Sequence, residues 1–287
     1  MILVTSAGKV GAEAARVLAA QGIPVRLLIR DPEKVGTLAR AGVEAAIGDL
    51  ADRPSIDAAM RDVSGVVLVS PAVPDEEMNV VRSAAAAHVG HIVKISSKAS
   101  LDSPVERRRN QARIEQGLIA SGVGYTLLRN NAYMQNFLML APAIASTDSF
   151  SSASGDGRIG MIDTRDVAAA AAAIAAHPDD HLGRTYWPTG PESFSYADAA
   201  PRLSAVLGRH ISFRSLSFAE QRQAMVDVGV PAPIAQMNAE AIALFAQGDS
   251  DWVTDDVMSI TGRPPRTFDQ FVTDNAEFFT VPASRQS

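Results

Sequence analysis

Short runs of β-branched and aliphatic residues alternate with longer amphipathic stretches through the first half of the chain. The pattern predicts strands at 2–5, 25–29, 44–47, 66–69, 92–95 and 125–129. Between them it predicts helices at 10–21, 32–41, 54–61, 75–88 and 105–121. In the first helix Val10, Ala14, Val17 and Leu18 share one face, Gly22 ends the helix, and Pro24 prevents its continuation. Asp31 is an N-cap for the second, with Pro32 at the first helical position, and Gly42 stops it. Several strands are continuous apolar runs rather than alternating ones, as expected of strands covered by helices on both faces. The repeated β-α order with right-handed crossovers then predicts an α/β fold, a Rossmann doubly wound parallel sheet.

The second half changes character. Residues 146–157 are rich in Ser, Gly and Asp and read as a loop. Residues 163–176 predict a helix whose run of alanines permits close packing on a sheet, and 185–189 predict one more strand. Beyond Pro191 the pattern is mainly helical, at 196–207, 218–228, 233–247, 255–260 and 268–279, with a small strand at 211–214. The expected organisation is a Rossmann domain over 1–145, its sheet completed by about 160–190, and a smaller, mainly helical lobe over 191–287 covering the sheet's carboxyl end. No repeat of fixed period is present, and low complexity is confined to short alanine runs and a polar tail after Val281.

Composition narrows the chemistry. The 287 residues carry 26 basic and 32 acidic side chains, a net charge of -6, which argues against a nucleic-acid partner held by a global basic field. The run Arg107-Arg108-Arg109 reads as a solvated helix face, since no aromatics are interleaved with it. There is no cysteine, hence no disulfide, thiolate zinc site or catalytic thiol. The five histidines form no metal-binding spacing, and no metal is expected. No apolar run approaches the roughly 18 to 20 residues of a membrane span. The N-terminus opens on a strand with no signal-peptide pattern, so a cytoplasmic protein without membrane association is expected. A homodimer is compatible with the sequence.

Thr5-Ser6-Ala7-Gly8-Lys9-Val10-Gly11 joins the first strand to the first helix. A dinucleotide pyrophosphate needs close backbone approach, which favours glycine, and free N–H groups at a helix start. Gly8 and Gly11 supply a GxxG in that context, without the full GxGxxG. The second strand ends in Arg30, where NAD-selective folds usually place an acid that holds the ribose 2′-hydroxyl. A guanidinium there suits the extra phosphate of NADP(H), while the adjacent Asp31 leaves NAD(H) open. Asp49 and Leu50, after the third strand, flank the expected adenine position. Ser70 and Pro71, after the fourth, lie where the pyrophosphate-ribose half would pass.

The ordered set of segments resembles one family over nearly the whole chain. It comprises the first loop, Arg-Asp-Pro-Glu-Lys, Gly-Asp-Leu, Val-Val-Leu-Val-Ser, Arg113-Ile114-Glu115, and the stretch from Ala120 to Arg129. It continues with the stretch from Asn131 to Phe137, Asp163-Thr164-Arg165-Asp166-Val167-Ala168, Thr189-Gly190-Pro191-Glu192, and the stretch from Val253 to Pro265. The set resembles the NmrA-like branch of the atypical short-chain dehydrogenases/reductases, in particular members like the type 2 NAD(P)H:quinone oxidoreductases. The resemblance implies a Rossmann domain holding NADP(H), a small C-terminal lobe closing a substrate cleft, Arg30 at the 2′-phosphate, and Ser96 near the nicotinamide ribose.

Two departures from the family pattern stand out. The first loop is one residue shorter than Gly-Ala-Thr-Gly-x-x-Gly, with Ser6 near the first glycine position. Counting back from Glu115 puts Gln111 where catalytic short-chain reductases carry Lys, and Arg107 where they carry Tyr. Gln111 cannot exchange a proton by ionising, so no catalytic acid–base residue is assigned. A quinone or similar carbonyl acceptor needs none, because water can protonate its reduced oxyanion and positioning supplies much of the rate. The segment after the sixth strand offers substrate contacts: Asn131 as a carbonyl partner, and Tyr133 and Phe137, four apart on a helix, as an aromatic wall. The expected function is therefore NADPH-dependent hydride transfer to such an acceptor. The alternative, favoured by the missing Tyr-Lys pair, is a non-catalytic NADP(H) redox sensor that regulates a partner.

Overall fold

The apolar runs become the interior strands: Leu3, Val4, Leu27, Val66, Val67, Ile92 and Val93 are all fully buried. The computed structural model describes residues 1–280, apart from the side chains of residues 34, 37 and 40, so the polar tail after Val281 lies outside the described residues. In chain order the elements begin with β1 (Ile2–Val4), α1 (Lys9–Ala20) and β2 (Val25–Ile29). A 3-10 turn at Pro32–Lys34 leads to α2 (Val35–Arg40), followed by β3 (Glu44–Ile47), α3 (Arg53–Ala59), β4 (Gly65–Leu68) and α4 (Pro74–Ala86). Then come β5 (His91–Ser97), α5 (Glu106–Ala120), β6 (Gly124–Asn130), α6 (Phe137–Thr147), β7 (Ser149–Ser152), α7 (Thr164–Ala176) and β8 (Thr185–Tyr186). The remainder is α8 (Tyr196–Leu207), β9 (Ser212–Ser215), α9 (Phe218–Asp227), α10 (Ala232–Phe245), α11 (Asp256–Thr261) and α12 (Phe268–Asp274).

The chain separates into two compact units. The first takes Met1–Asn130, Thr164–Pro188 and Asp256–Arg263. Its sheet has seven parallel strands in the order β3-β2-β1-β4-β5-β6-β8. This is the doubly wound Rossmann arrangement, and its strand order reverses between β1 and β4, where ligands bind in such sheets. On one face α4 packs beside α3 and α5, and on the other α7 packs against α1 and on β4, β5 and β6. Small buried residues permit that second approach: Gly11, Ala14 and Ala15 on α1, and Ala168, Ala170, Ala171 and Ala172 on α7. None of the helices among the described residues is long and apolar enough to cross a membrane.

The second unit takes Asn131–Asp163, Thr189–Asp255 and the chain from Pro264. It therefore starts at Asn131, ahead of the boundary the helical pattern predicts, and α11 returns to the first unit. The expected loop at 146–157 is also corrected: it holds the end of α6 and all of β7, which pairs in parallel with β9 from Ser149↔Ser212 to Ser152↔Ser215. Ser149-Phe150-Ser151-Ser152 buries its second and fourth residues, a strand period masked by serine-rich composition. The core of this unit gathers around Phe137, whose ring stacks on Tyr196 at 5.0 Å and lies 4.7 Å from Phe268 and 5.8 Å from Phe150.

Candidate functional site

A cleft of about 450 Å³ opens at the carboxyl ends of the strands that flank the reversal. Thr5, Ser6, Ala7 and Gly8 form one wall from the loop after β1. Leu28, Ile29, Arg30 and Asp31 come from the end of β2, and Gly48, Asp49 and Leu50 from the turn after β3. Val69, Ser70 and Pro71 follow β4, and Glu76 reaches in from α4. Of these, Glu76 is the one ionisable group sequence reasoning did not single out. Its signal was present, since Pro74 opens α4 and sets Asp75, Glu76 and Glu77 in the first turn beside the β4 end.

The first loop is built for close approach. A Cβ on Gly11 would stand 1.9 Å from the carbonyl oxygen of Ser6, so the loop can fold over α1 only if residue 11 is glycine. Gly8 is the N-cap of α1, no side chain caps that end, and no acidic residue lies in the first turn. The positive helix end thus faces the cleft without a carboxylate of its own helix. The Gly8 N–H donates to Ser6 Oγ at 3.1 Å. Thr5 fastens β1 to β4, its Oγ1 donating to Val69 O and accepting from Val69 N, both at 2.9 Å. Such a cradle fits a pyrophosphate.

The far end of the cleft fits a phosphorylated ribose. Arg30 is 82% exposed, and its Nη1 lies 3.9 Å from Asp49 Oδ2. At that exposure and distance the pair binds weakly, which leaves the guanidinium able to take an anion. Asp31 Oδ1 accepts from Glu33 N at 3.0 Å as the cap of the 3-10 turn, so the acid that suits a free 2′-hydroxyl has one oxygen committed to the backbone. Gly48 lets the next turn approach, since a Cβ there would stand 2.8 Å from Ser55 Oγ and 2.9 Å from Leu28 Cδ1. Ser55 Oγ accepts from Asp49 N at 3.0 Å, and Asn79 Nδ2 donates to Leu50 O at 3.0 Å, fixing both residues against the cleft.

The other expected site residues sit elsewhere. Lys9, Val10 and Gly11 are outside the wall: Lys9 starts α1 at the surface, Val10 is core, and Gly11 lies beneath Ser6. Ser96, expected near the nicotinamide ribose, is buried with its hydroxyl turned inward. Its Oγ is 2.6 Å from Glu115 Oε1 and 3.2 Å from Gln111 Oε1. Glu115 in turn holds Arg129, whose Nη2 lies 2.5 Å from Oε2, and Arg129 stacks over Trp187 at 5.1 Å. Gln111 is thus a buried partner of β5 and offers the cofactor no ionisable group.

In the second unit the substrate expectations divide. Phe137 is fully buried in an aromatic core, so the expected aromatic wall loses it: a ring with no exposed surface presents no face to a ligand. Tyr133 and Phe137 also do not share a helix, because Tyr133 has extended backbone (φ -86, ψ 137) and precedes a 3-10 turn. Asn131 is buried and bonded at both ends of its amide, to Ser250 O at 3.0 Å and from Ala132 N at 2.7 Å. Tyr133 is partly exposed.

Comparison with known proteins agrees with this architecture. The NmrA-like family model matches residues 1–272. An NAD(P)H azoreductase of Xenophilus azovorans is 34% identical over 97% of this chain and 99% of its own. A (4-alkanoyl-5-oxo-2,5-dihydrofuran-3-yl)methyl phosphate reductase of Streptomyces griseus is 39% identical over the same shares. The NADPH complex of an Escherichia coli NADPH-dependent quinone oxidoreductase superposes with a TM-score of 0.88 at 28% identity, covering 96% of this chain and all of that one. With its switch-point cleft, glycine-dependent first loop and family match over nearly its full length, the chain belongs to the NmrA-like family.

Proposed function

We propose that this protein is an NADPH-dependent oxidoreductase that reduces a quinone or similar conjugated carbonyl compound without a Tyr-Lys pair. The observation that carries the reading is the switch-point cleft with Arg30 standing at the end of β2. When bound, the reduced nicotinamide supplies the hydride. The N–H groups at the start of α1 hold the pyrophosphate, and Arg30 takes the 2′-phosphate in a charge-assisted bond. Leu28, Ile29 and Leu50 give the adenine an apolar wall. Gln111 and Arg107 replace the acid–base pair, so water protonates the reduced acceptor and the protein's contribution is positioning.

That division of labour suits acceptors whose reduced form is a stabilised anion. The names of the relatives agree: an azo group, a quinone, and a dihydrofuranone whose C=C bond is conjugated with carbonyls. The test is steady-state oxidation of NADPH by the purified protein across a panel of quinones and enones. Turnover above the buffer rate is expected with some of them. Tight NADPH binding with no turnover on any would overturn the enzyme in favour of a redox sensor, which in turn requires different affinities for NADPH and NADP.

A further inference from the structure

The cleft wall at Ser70 is tied to two charges that do not reach solvent. Lys94 on β5 and Glu77 on α4 are both 0% exposed, and Lys94 Nζ lies 2.7 Å from Glu77 Oε2. Lys94 Nζ also donates to Glu77 Oε1 at 3.0 Å and to the Ile95 carbonyl at 2.7 Å. Glu77 Oε1 accepts from Ser70 Oγ at 2.6 Å, and Ser70 Oγ accepts from Ala72 N at 3.0 Å. A buried ion pair is a poor source of stability, because the desolvation of both ions offsets their attraction, and well-packed apolar side chains often serve as well.

The turn that the pair grips is strained. Ala72 has φ 67, a left-handed conformation that is costly for a residue with a Cβ, and such backbone persists where its surroundings over-determine it. Ser70 and Pro71 of the same turn line the cleft. A strained turn at a binding wall and a buried charge pair thus converge on one hydroxyl. The proton of Ser70 is committed to Glu77, and it accepts from Ala72, so this side chain shapes the wall rather than donating to a ligand.

We infer that Lys94 and Glu77 are positioning residues for the dinucleotide: Glu77 holds the Ser70-Pro71-Ala72 turn in the shape against which the pyrophosphate lies, and Lys94 fixes Glu77. This rests on the cofactor reading above. It predicts that the acceptor atom of Glu77 matters for binding while its charge is dispensable once Lys94 is neutral.

Two double variants separate those properties. Lys94→Met with Glu77→Gln keeps an acceptor for Ser70, whereas Lys94→Met with Glu77→Leu removes it. Calorimetric titration with NADPH, and with adenosine 2′-monophosphate, which reaches only the Arg30 end, reads the wall separately from the unit as a whole. The expected result is a roughly tenfold weaker NADPH affinity for the Leu variant and a change of at most about twofold for the Gln variant. Adenosine 2′-monophosphate should bind all three proteins alike. Equal NADPH affinity in the Leu variant and the wild type overturns the proposal, as does equal weakening of both ligands. If the double variants do not fold, Ser70→Ala serves instead: weakened NADPH with unchanged adenosine 2′-monophosphate supports the proposal, and unchanged NADPH overturns it. A wild-type protein that binds neither ligand overturns the cofactor reading itself.

Discussion

Arg30 and Asp49 face each other at 3.9 Å across the outer end of the cleft, both in contact with solvent. A 2′-phosphate on Arg30 would lie near the carboxylate of Asp49, so the two side chains act on it in opposite senses. Arg30→Ala should therefore weaken NADPH by roughly 1 to 3 kcal/mol, as for a hydrogen bond to a charged group, and NADH by much less. Asp49→Asn should strengthen NADPH slightly, by less than about 1 kcal/mol at this exposure. Titration of each variant with both cofactors checks this, and equal loss of NADH and NADPH in Arg30→Ala would show that Arg30 does not read the phosphate.

Gly11→Ala tests the loop. The new methyl would have to stand 1.9 Å from Ser6 O, a backbone atom, so the loop must move off α1. NADPH and NADH share the pyrophosphate, and both should lose affinity together, by roughly tenfold or more if a helix-end hydrogen bond to the anion is lost. Selective loss of only one cofactor would contradict the assignment. Thermal unfolding of the same variant should show a lower midpoint, since an overpacked site typically costs about 1 to 3 kcal/mol.

The sheet and the cofactor loop were legible in the sequence because both are written locally. Continuous apolar runs mark doubly covered strands, and Gly8, Gly11 and Arg30 lie within a few residues of the strand ends that position them. What stayed hidden depends on contacts between distant residues. Nothing near Phe137 announces that Tyr196 and Phe268 close over it. Nothing near Ser96 announces that Glu115 on α5 accepts its hydroxyl. Strand β7 escaped because its serines mimic a loop, and its pairing with β9 is decided far along the chain. Lys94 lies within the strand expected at 92–95, and only the fold reveals Glu77 beside it.

Phe137 and Tyr133 should separate cleanly on mutation. Phe137→Ala empties a fully buried aromatic site and should cost roughly 3 to 5 kcal/mol in stability, read as a lower urea midpoint. Tyr133 is partly exposed, and we propose it as a contact of the acceptor. Tyr133→Ala should raise the KM for the quinone with little change in the NADPH dissociation constant or the unfolding midpoint. A quinone KM left unchanged in Tyr133→Ala would remove that residue from the substrate side.

At the amino-terminal start of β5, His91 provides a test of pH dependence. It is almost wholly buried, and its Nε2 lies 2.9 Å from Thr126 Oγ1. Thr126 donates its own proton to the His181 carbonyl at 2.7 Å, so it accepts from His91, which assigns the Nε2–H tautomer. Burial depresses the His91 pKa below its ordinary 6.5, with a further lowering from His181, while a Tyr125 backbone bond and Asp179 act in the opposite sense. Burial likewise lowers His181, whose Nδ1 lies 2.8 Å from the Tyr186 hydroxyl; Arg184 and His177 also lower it and Asp180 raises it. A histidine depressed in the folded state takes up its proton first in the unfolded chain, so stability holds above about pH 6.5 and falls as the pH drops below it. Urea midpoints should therefore decline between pH 7.5 and 5.5, and the decline should flatten in a His91→Gln, His181→Gln variant. A double variant that keeps the full decline would place the titration elsewhere, among the carboxylates.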